Sequence, residues 1–158
     1  MTHADREFLL AVYASAREIE LAMVPWNDEM KRAFVENQFD AQTSYYSSEF
    51  AGARHDIITL ADTGEQVGRA YVDQGPEQIS ILDIAVLPQY RRRGIGSAIV
   101  GSLVAEAGDS GRTVRVYVEA FNPSKEFFTS RGFEVKEDDG INLRLVWEAG
   151  REKLDKLA

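Results

Sequence analysis

Six consecutive residues, Arg91-Arg92-Arg93-Gly94-Ile95-Gly96, have the side-chain types and spacing to bind a phosphate group. The apolar, β-branched run Ile79 to Val86 precedes them, and Ser97 to Ala107, with apolar residues at helical steps, follows. The six therefore stand on a strand-to-helix turn. Two glycines let a backbone come close to a ligand, with no Cβ in the way. The first turn of a helix leaves N–H groups without partners, and its dipole favours an anion. Three guanidinium groups add positive charge and forked donors matched to phosphate. Physical chemistry alone thus reads a phosphate or pyrophosphate cradle. A P-loop is excluded, because no Gly-Lys-Ser/Thr ending follows. The dinucleotide fingerprint is excluded, because its third glycine falls at Ile99.

The flanking elements must present that turn. Asp5 to Val24 has apolar residues at three- and four-residue steps and predicts a helix, with Asp5 as N-cap or first-turn acid. Pro25 stops it, and Asn27 caps a second helix from Asp28 to about Tyr46. Met30, Ala33, Phe34, Asn37, Gln38, Ala41, Gln42 and Tyr45 share one unusually polar side of that helix. Gln38, Gln42 and Tyr45 can project together there as a wall of a substrate pocket. A solvated helix edge is the competing account. Trp26, between the helices, is explained by apolar packing more simply than by ligand stacking.

Asp56 to Ala61, Gln66 to Asp73 and Gln78 to Val86 predict three strands, turning at Asp62-Thr63-Gly64 and Gly75-Pro76 and spaced as antiparallel hairpins. Arg69, inside a strand, either faces a functional surface or lies on a wet face of the pleat. His3 and His55 are the only histidines and cannot build a multi-histidine metal site; His55, at a strand start, reads as a surface residue. Ile95, Ala98, Ile99, Ser102 and Leu103 form the expected buried face of the helix after the cradle. Gly108-Asp109-Ser110-Gly111 matches the surroundings of a serine-protease nucleophile, yet its residue types are those a turn needs and its setting is wrong for a β-barrel. Thr113 to Val118 predicts a strand, and Ser124 to Arg131 a helix opened by Asn122-Pro123 and closed by Gly132. Phe133 to Glu137 and Ile141 to Trp147 predict a hairpin around Asp138-Asp139-Gly140.

The 158 residues suit one domain, placed at 1–148, with a charged tail at 149–158. The formal net charge of −8 opposes general nucleic-acid binding and permits attraction of a cationic substrate. Against that background the arginine cluster is a local exception. No cysteine is present, which removes disulfides, thiolate nucleophiles and cysteine-based zinc sites and fits a reducing cytoplasm. No long apolar run or signal-like start suggests a membrane span or secretion.

Arg91-x-x-Gly94-x-Gly96, after Val86-Leu87-Pro88 and before a helix, resembles the acetyl-CoA signature of the GNAT superfamily of N-acetyltransferases. Val118-Glu119-Ala120-Phe121-Asn122-Pro123-Ser124, followed by Arg131-Gly132-Phe133, is similar to the second signature of that family. The order of elements from about residue 5 to 147 agrees. The resemblance implies an α/β (α+β) fold: a mixed sheet, splayed like a V between the Ile79 and Thr113 strands and flanked by helices. It implies acetyl-CoA as cofactor. Arg91, Arg92, Arg93, Gly94, Ile95, Gly96 and Ser97 would take its diphosphate; backbone groups of Ile84, Ala85 and Val86 its pantetheine arm; Asn122 and Phe128 would contact it further. The implied reaction is acetyl transfer to a primary amine of a small molecule or peptide, by direct attack in a ternary complex. Asp83 and Glu119 are the candidate bases, and an N–H near Val86 would polarise the thioester carbonyl. Trp26, Gln38, Gln42, Tyr45 and Arg69 are the acceptor-pocket candidates. Dimers are frequent in the family.

Two departures stand out. The family's first strand normally precedes the first helix, where only Met1 to Ala4 stand here. The family's leaving-group tyrosine is replaced by Phe128, which has no proton to give. A module that binds acyl-CoA without turning it over is therefore the alternative reading.

Overall fold

The structure, a computed structural model, describes residues 3–120 and 122–149. The expected tail, apart from Ala149, and Phe121 of the second signature lie outside them. The described residues divide into two compact units, one of 3–71 and 83–96, the other of 72–82, 97–120 and 122–149. Helices flank a six-stranded mixed sheet of order β1-β2-β3-β4-β6-β5. Strands β2 (Gln66–Gln74) and β3 (Gln78–Val86) each pass from one unit into the other.

The first unit begins with α1 (His3–Ala16), α2 (Glu18–Ala22) and α3 (Asp28–Glu49), followed by β1 (Arg54–Thr59). No strand precedes α1 among the described residues. The single helix expected over Asp5 to Val24 is broken at Arg17, whose φ and ψ are −104° and 0°. There the N–H of Arg17 bonds Ala14 O, a tightened i−3 contact, and its guanidinium turns back to the Tyr13 hydroxyl at 3.1 Å. Asn27 caps α3 as expected, its Oδ1 accepting from Met30 N–H at 2.8 Å. The buried stripe of α3 is Val35 and Phe39, one step round from the polar face read in the sequence. Both join Leu9, Leu10 and Tyr13 of α1 in one core.

The second unit holds α4 (Ile95–Ser110) from Ser97 onward, β4 (Thr113–Glu119), α5 (Ser124–Thr129), β5 (Glu134–Asp138) and β6 (Asn142–Trp147). Parallel pairing sets Gln78–Ile81 of β3 beside Thr113–Val116 of β4. Antiparallel pairing joins β4 to β6 and β6 to β5. The closing hairpin turns as expected: Gly140 has φ +87°, and Asp139 Oδ1 accepts from the N–H groups of Ile141 and Asn142. Val100, Leu103 and Ala107 are the buried residues of α4, so of the expected face only Leu103 is buried, while Ala98 and Ser102 are exposed. Among the described residues no helix is long and apolar enough to cross a membrane.

Candidate functional site

The Arg-rich turn leaves β3 through a single 3-10 turn, Pro88–Tyr90, and enters α4 at Ile95. Gly94 has φ +79° and open space where a Cβ would stand, so its role is conformational. Arg92 also has positive φ, 64°, a conformation that costs a side-chain-bearing residue about 1 kcal/mol. The turn is therefore held in a shape its sequence does not favour locally, as functional loops often are. Gly96 lies in the first turn of α4, where backbone N–H groups lack helical partners. The arginines and Gly94 are exposed. Arg91 donates Nε–H to Val86 O at 3.0 Å, tying the turn to the end of β3. Arg93 stacks over the Tyr90 ring at 5.3 Å, and the Tyr90 hydroxyl is held by Glu65. Cationic groups and free amide donors thus converge on one exposed turn. That arrangement suits a polyanion.

Asp83 and Arg69 form a pair that the sequence did not join. Arg69 donates from Nε and Nη2 to Asp83 Oδ2 at 2.6 Å, and from Nη2 to Gln42 Oε1 at 2.6 Å. The Arg69 side chain is 2% exposed and that of Asp83 30%. Arg69 is thus neither on a wet face nor at the surface. Its guanidinium carbon lies 5.6 and 5.8 Å from the ring centres of Tyr13 and Phe39, whose π-faces offset the burial of a cation. Gln42 is drawn inward by this pair. Gln38 instead accepts a long bond, 3.4 Å, from the Tyr13 hydroxyl, while Tyr45 is 58% exposed. Of the three residues expected to project together, Gln38 and Gln42 both turn to the Tyr13–Arg69 cluster, while Tyr45 stays exposed. Trp26 packs edge-on against Phe34 at 5.1 Å, in line with apolar packing.

His55 corrects another expectation. Its ring stacks on Tyr71 at 4.4 Å and 13°, and both ring nitrogens are buried without a partner. Burial, then the Arg69 charge, push its pKa down to about 4, so the imidazole is neutral at pH 7. Tyr46 packs edge-on against the same Tyr71 ring; burial, then Asp83, push its phenol up to about 12. The signal for His55 lay in β1, where the alternation of Arg54, His55 and Asp56 puts the histidine on the opposite face from its charged neighbours.

In the second unit, Ser97 in the first turn of α4 accepts from Arg131 Nη2. Arg131 also donates to Phe127 O at 2.8 Å and lies over the Phe127 ring at 3.8 Å. Asn122 Oδ1 accepts from the N–H and hydroxyl of Ser124 at 2.9 and 2.8 Å, which opens α5. Phe128 is buried, edge-on to Phe127 and Phe133. Glu119 is exposed at the end of β4, paired across the ladder with Asn142.

Residues 53–135 match the profile of the acetyltransferase (GNAT) domain. The chain belongs to the GNAT acetyltransferase family. Solved structures agree on the fold. The PaiA N-acetyltransferase of Thermoplasma acidophilum, crystallised with coenzyme A, superposes with a TM-score of 0.68 at 17% identity over 94% of this chain and 95% of its own. An acetyltransferase from Thermus thermophilus gives 0.65 at 22% identity over 94% and 93%. A GNAT family acetyltransferase from Elizabethkingia anophelis with acetyl-CoA bound gives 0.55 at 13% identity over 66% and 82%. No curated protein matches the chain.

Proposed function

We propose that this protein is an acetyl-CoA-dependent N-acetyltransferase acting on a primary amine of a small molecule or peptide, within one domain over residues 1–148. The observation that carries the reading is the Arg91–Gly96 turn: exposed arginines leading into the first turn of α4, with Gly94 at φ +79°. These residues fit the diphosphate of coenzyme A by charge and by donor count, in a chain that is otherwise acidic.

Acetyl-CoA supplies an activated acetyl group as a thioester. The residues of the chain bind it, orient it and manage protons. An N–C bond forms to the acceptor amine, a C–S bond breaks, the amine loses a proton and the thiolate gains one. The Arg69 grip on Asp83 Oδ2 leaves the other carboxylate oxygen for an amine proton. This supports Asp83 as the group that holds or deprotonates the acceptor; Glu119 is the second candidate. Tyr46, with its phenol at about 12, keeps its proton and serves as a hydrogen-bond donor rather than an acid. The leaving thiolate then takes its proton from Tyr45 or water. The acidic net charge favours a cationic acceptor. The absence of cysteine agrees with work in a reducing cytoplasm, and a homodimer follows the habit of the family.

A thiol-release assay with acetyl-CoA and a panel of polyamines, aminoglycosides, amino acids and peptide N-termini tests the reading. Release with at least one amine is the expected result. Phe128, buried and without a hydroxyl, favours one second reading, a non-catalytic acyl-CoA sensor. That reading predicts binding by calorimetry with no release for any amine.

A further inference from the structure

Gly68, in the middle of β2, meets β3 more closely than any side chain permits. A Cβ built on it would stand 2.2 Å from Ala85 O and 3.0 Å from Val86 Cα. Both contacts are backbone, so neither can swing aside as the tip of a side chain would. The Ala85 carbonyl therefore occupies the place where any other residue at position 68 would put its first carbon. This is not the geometry of a regular ladder, in which carbonyls lie near the sheet plane and Cβ atoms stand out of it.

The register explains the anomaly. At the turn between β2 and β3, Gly75 N–H bonds Gln78 O at 3.0 Å. Regular antiparallel pairing from there sets Val67 opposite Val86. Instead Leu87 N–H bonds Val67 O at 2.8 Å. β3 has thus gained one residue on β2, the signature of a β-bulge, and the close approach to Gly68 locates it at Ala85–Val86. In a trans peptide the N–H points opposite to the C=O. With the Ala85 carbonyl turned over Gly68, the Val86 N–H is directed away from β2. Val86 O is in turn fixed by Arg91 Nε, so the peptides on both sides of Val86 have set directions.

We infer that Gly68 is a positioning residue for acetyl transfer: its missing Cβ lets the Ala85–Val86 peptide turn, and that turn aims the Val86 N–H as the donor for the thioester carbonyl. The inference rests on the acetyl-transfer reading above. Gly68 itself touches no reactant; it acts through the neighbouring strand. A glycine inside the run Val67-Gly68-Arg69-Ala70-Tyr71-Val72 is the sequence signal for such a close approach, since glycine weakens a strand that has no need of it.

The test is Gly68→Ala. Its Cβ must push the Ala85 carbonyl back and rotate the Val86 N–H. The expected result is a kcat about 100-fold lower, the loss typical of removing one such donor. Coenzyme A affinity by calorimetry should stay within about threefold, because the phosphate-binding turn is untouched. A second readout is the carbonyl stretch of bound acetyl-CoA labelled with 13C at the thioester carbon. It should lie below that of free acetyl-CoA in the wild type and return toward it in the variant. Unchanged kcat, or a carbonyl band equal in variant and wild type, overturns the inference. If Gly68→Ala does not fold, the wild-type band decides, and a band unshifted from free acetyl-CoA overturns it. Failure of the underlying reading looks different: the wild type itself then binds no coenzyme A or releases no thiol with any amine.

Discussion

Breaking the Arg69–Asp83 pair should destabilise the protein by unequal amounts from its two sides. Asp83→Ala leaves a guanidinium that is 2% exposed, with Gln42 Oε1 and the faces of Tyr13 and Phe39 as its remaining partners. Removing one member of a buried pair costs about 3–5 kcal/mol. The two rings and the amide oxygen return part of that, so a loss of about 3 kcal/mol is expected. Arg69→Met keeps most of the buried stem volume and leaves a carboxylate that is 30% exposed and open to water. Its cost should be about 1–2 kcal/mol, at or above the upper value for an exposed pair, because Asp83 is partly buried. In urea, with a slope of about 1–3 kcal/mol per molar, a gap of about 1–2 kcal/mol separates the two midpoints by about 0.3–2 M. The double variant strands no charge and should lose less than the sum of the singles. Equal losses, or a larger loss for Arg69→Met, would refute the claim that the pair is a buried cation held by a partly solvated anion.

Two further outcomes follow from single residues. His55, at about 4 when folded against 6.5 when free, takes up its proton more readily in the unfolded chain. Stability should therefore fall as pH drops from about 6.5 to about 4, by roughly 2 kcal/mol once partial exposure is allowed for, and His55→Phe should flatten that slope in urea titrations across the window. Arg92→Gly relieves the positive φ of 64° and should raise stability by about 0.5–1 kcal/mol in the same assay, while weakening coenzyme A binding about tenfold by calorimetry.

What could be read from the chain in advance was local. The Asn27 cap, the Gly140 turn and the helix start at the Arg-rich turn each depend on residues a few positions apart, and each stands where the residue types place it. What escaped was set by partners far along the chain. Gln42 turns inward because Arg69, 27 positions away, needs its oxygen. The polar face of α3 therefore splits, leaving Tyr45 outside, and the true core stripe runs through Val35 and Phe39. His55 is sheltered by Tyr71, which no neighbour in sequence announces. At Arg17 a strongly periodic helix is interrupted by a tightened backbone bond to Ala14, against a pattern that favours continuity. The role of Gly68 is likewise set by β3, the strand opposite, and not by its neighbours in sequence.

Calorimetric titration of coenzyme A and of pantetheine, into wild type and Arg92→Glu, bears most directly on the phosphate-binding turn. Coenzyme A should bind the wild type at least about 100-fold more tightly than pantetheine, since two or more charge-assisted hydrogen bonds of about 1.5–3 kcal/mol are at stake. Arg92→Glu should erase most of that difference. Equal affinity for the two ligands, or a coenzyme A affinity indifferent to Arg92→Glu, would contradict it.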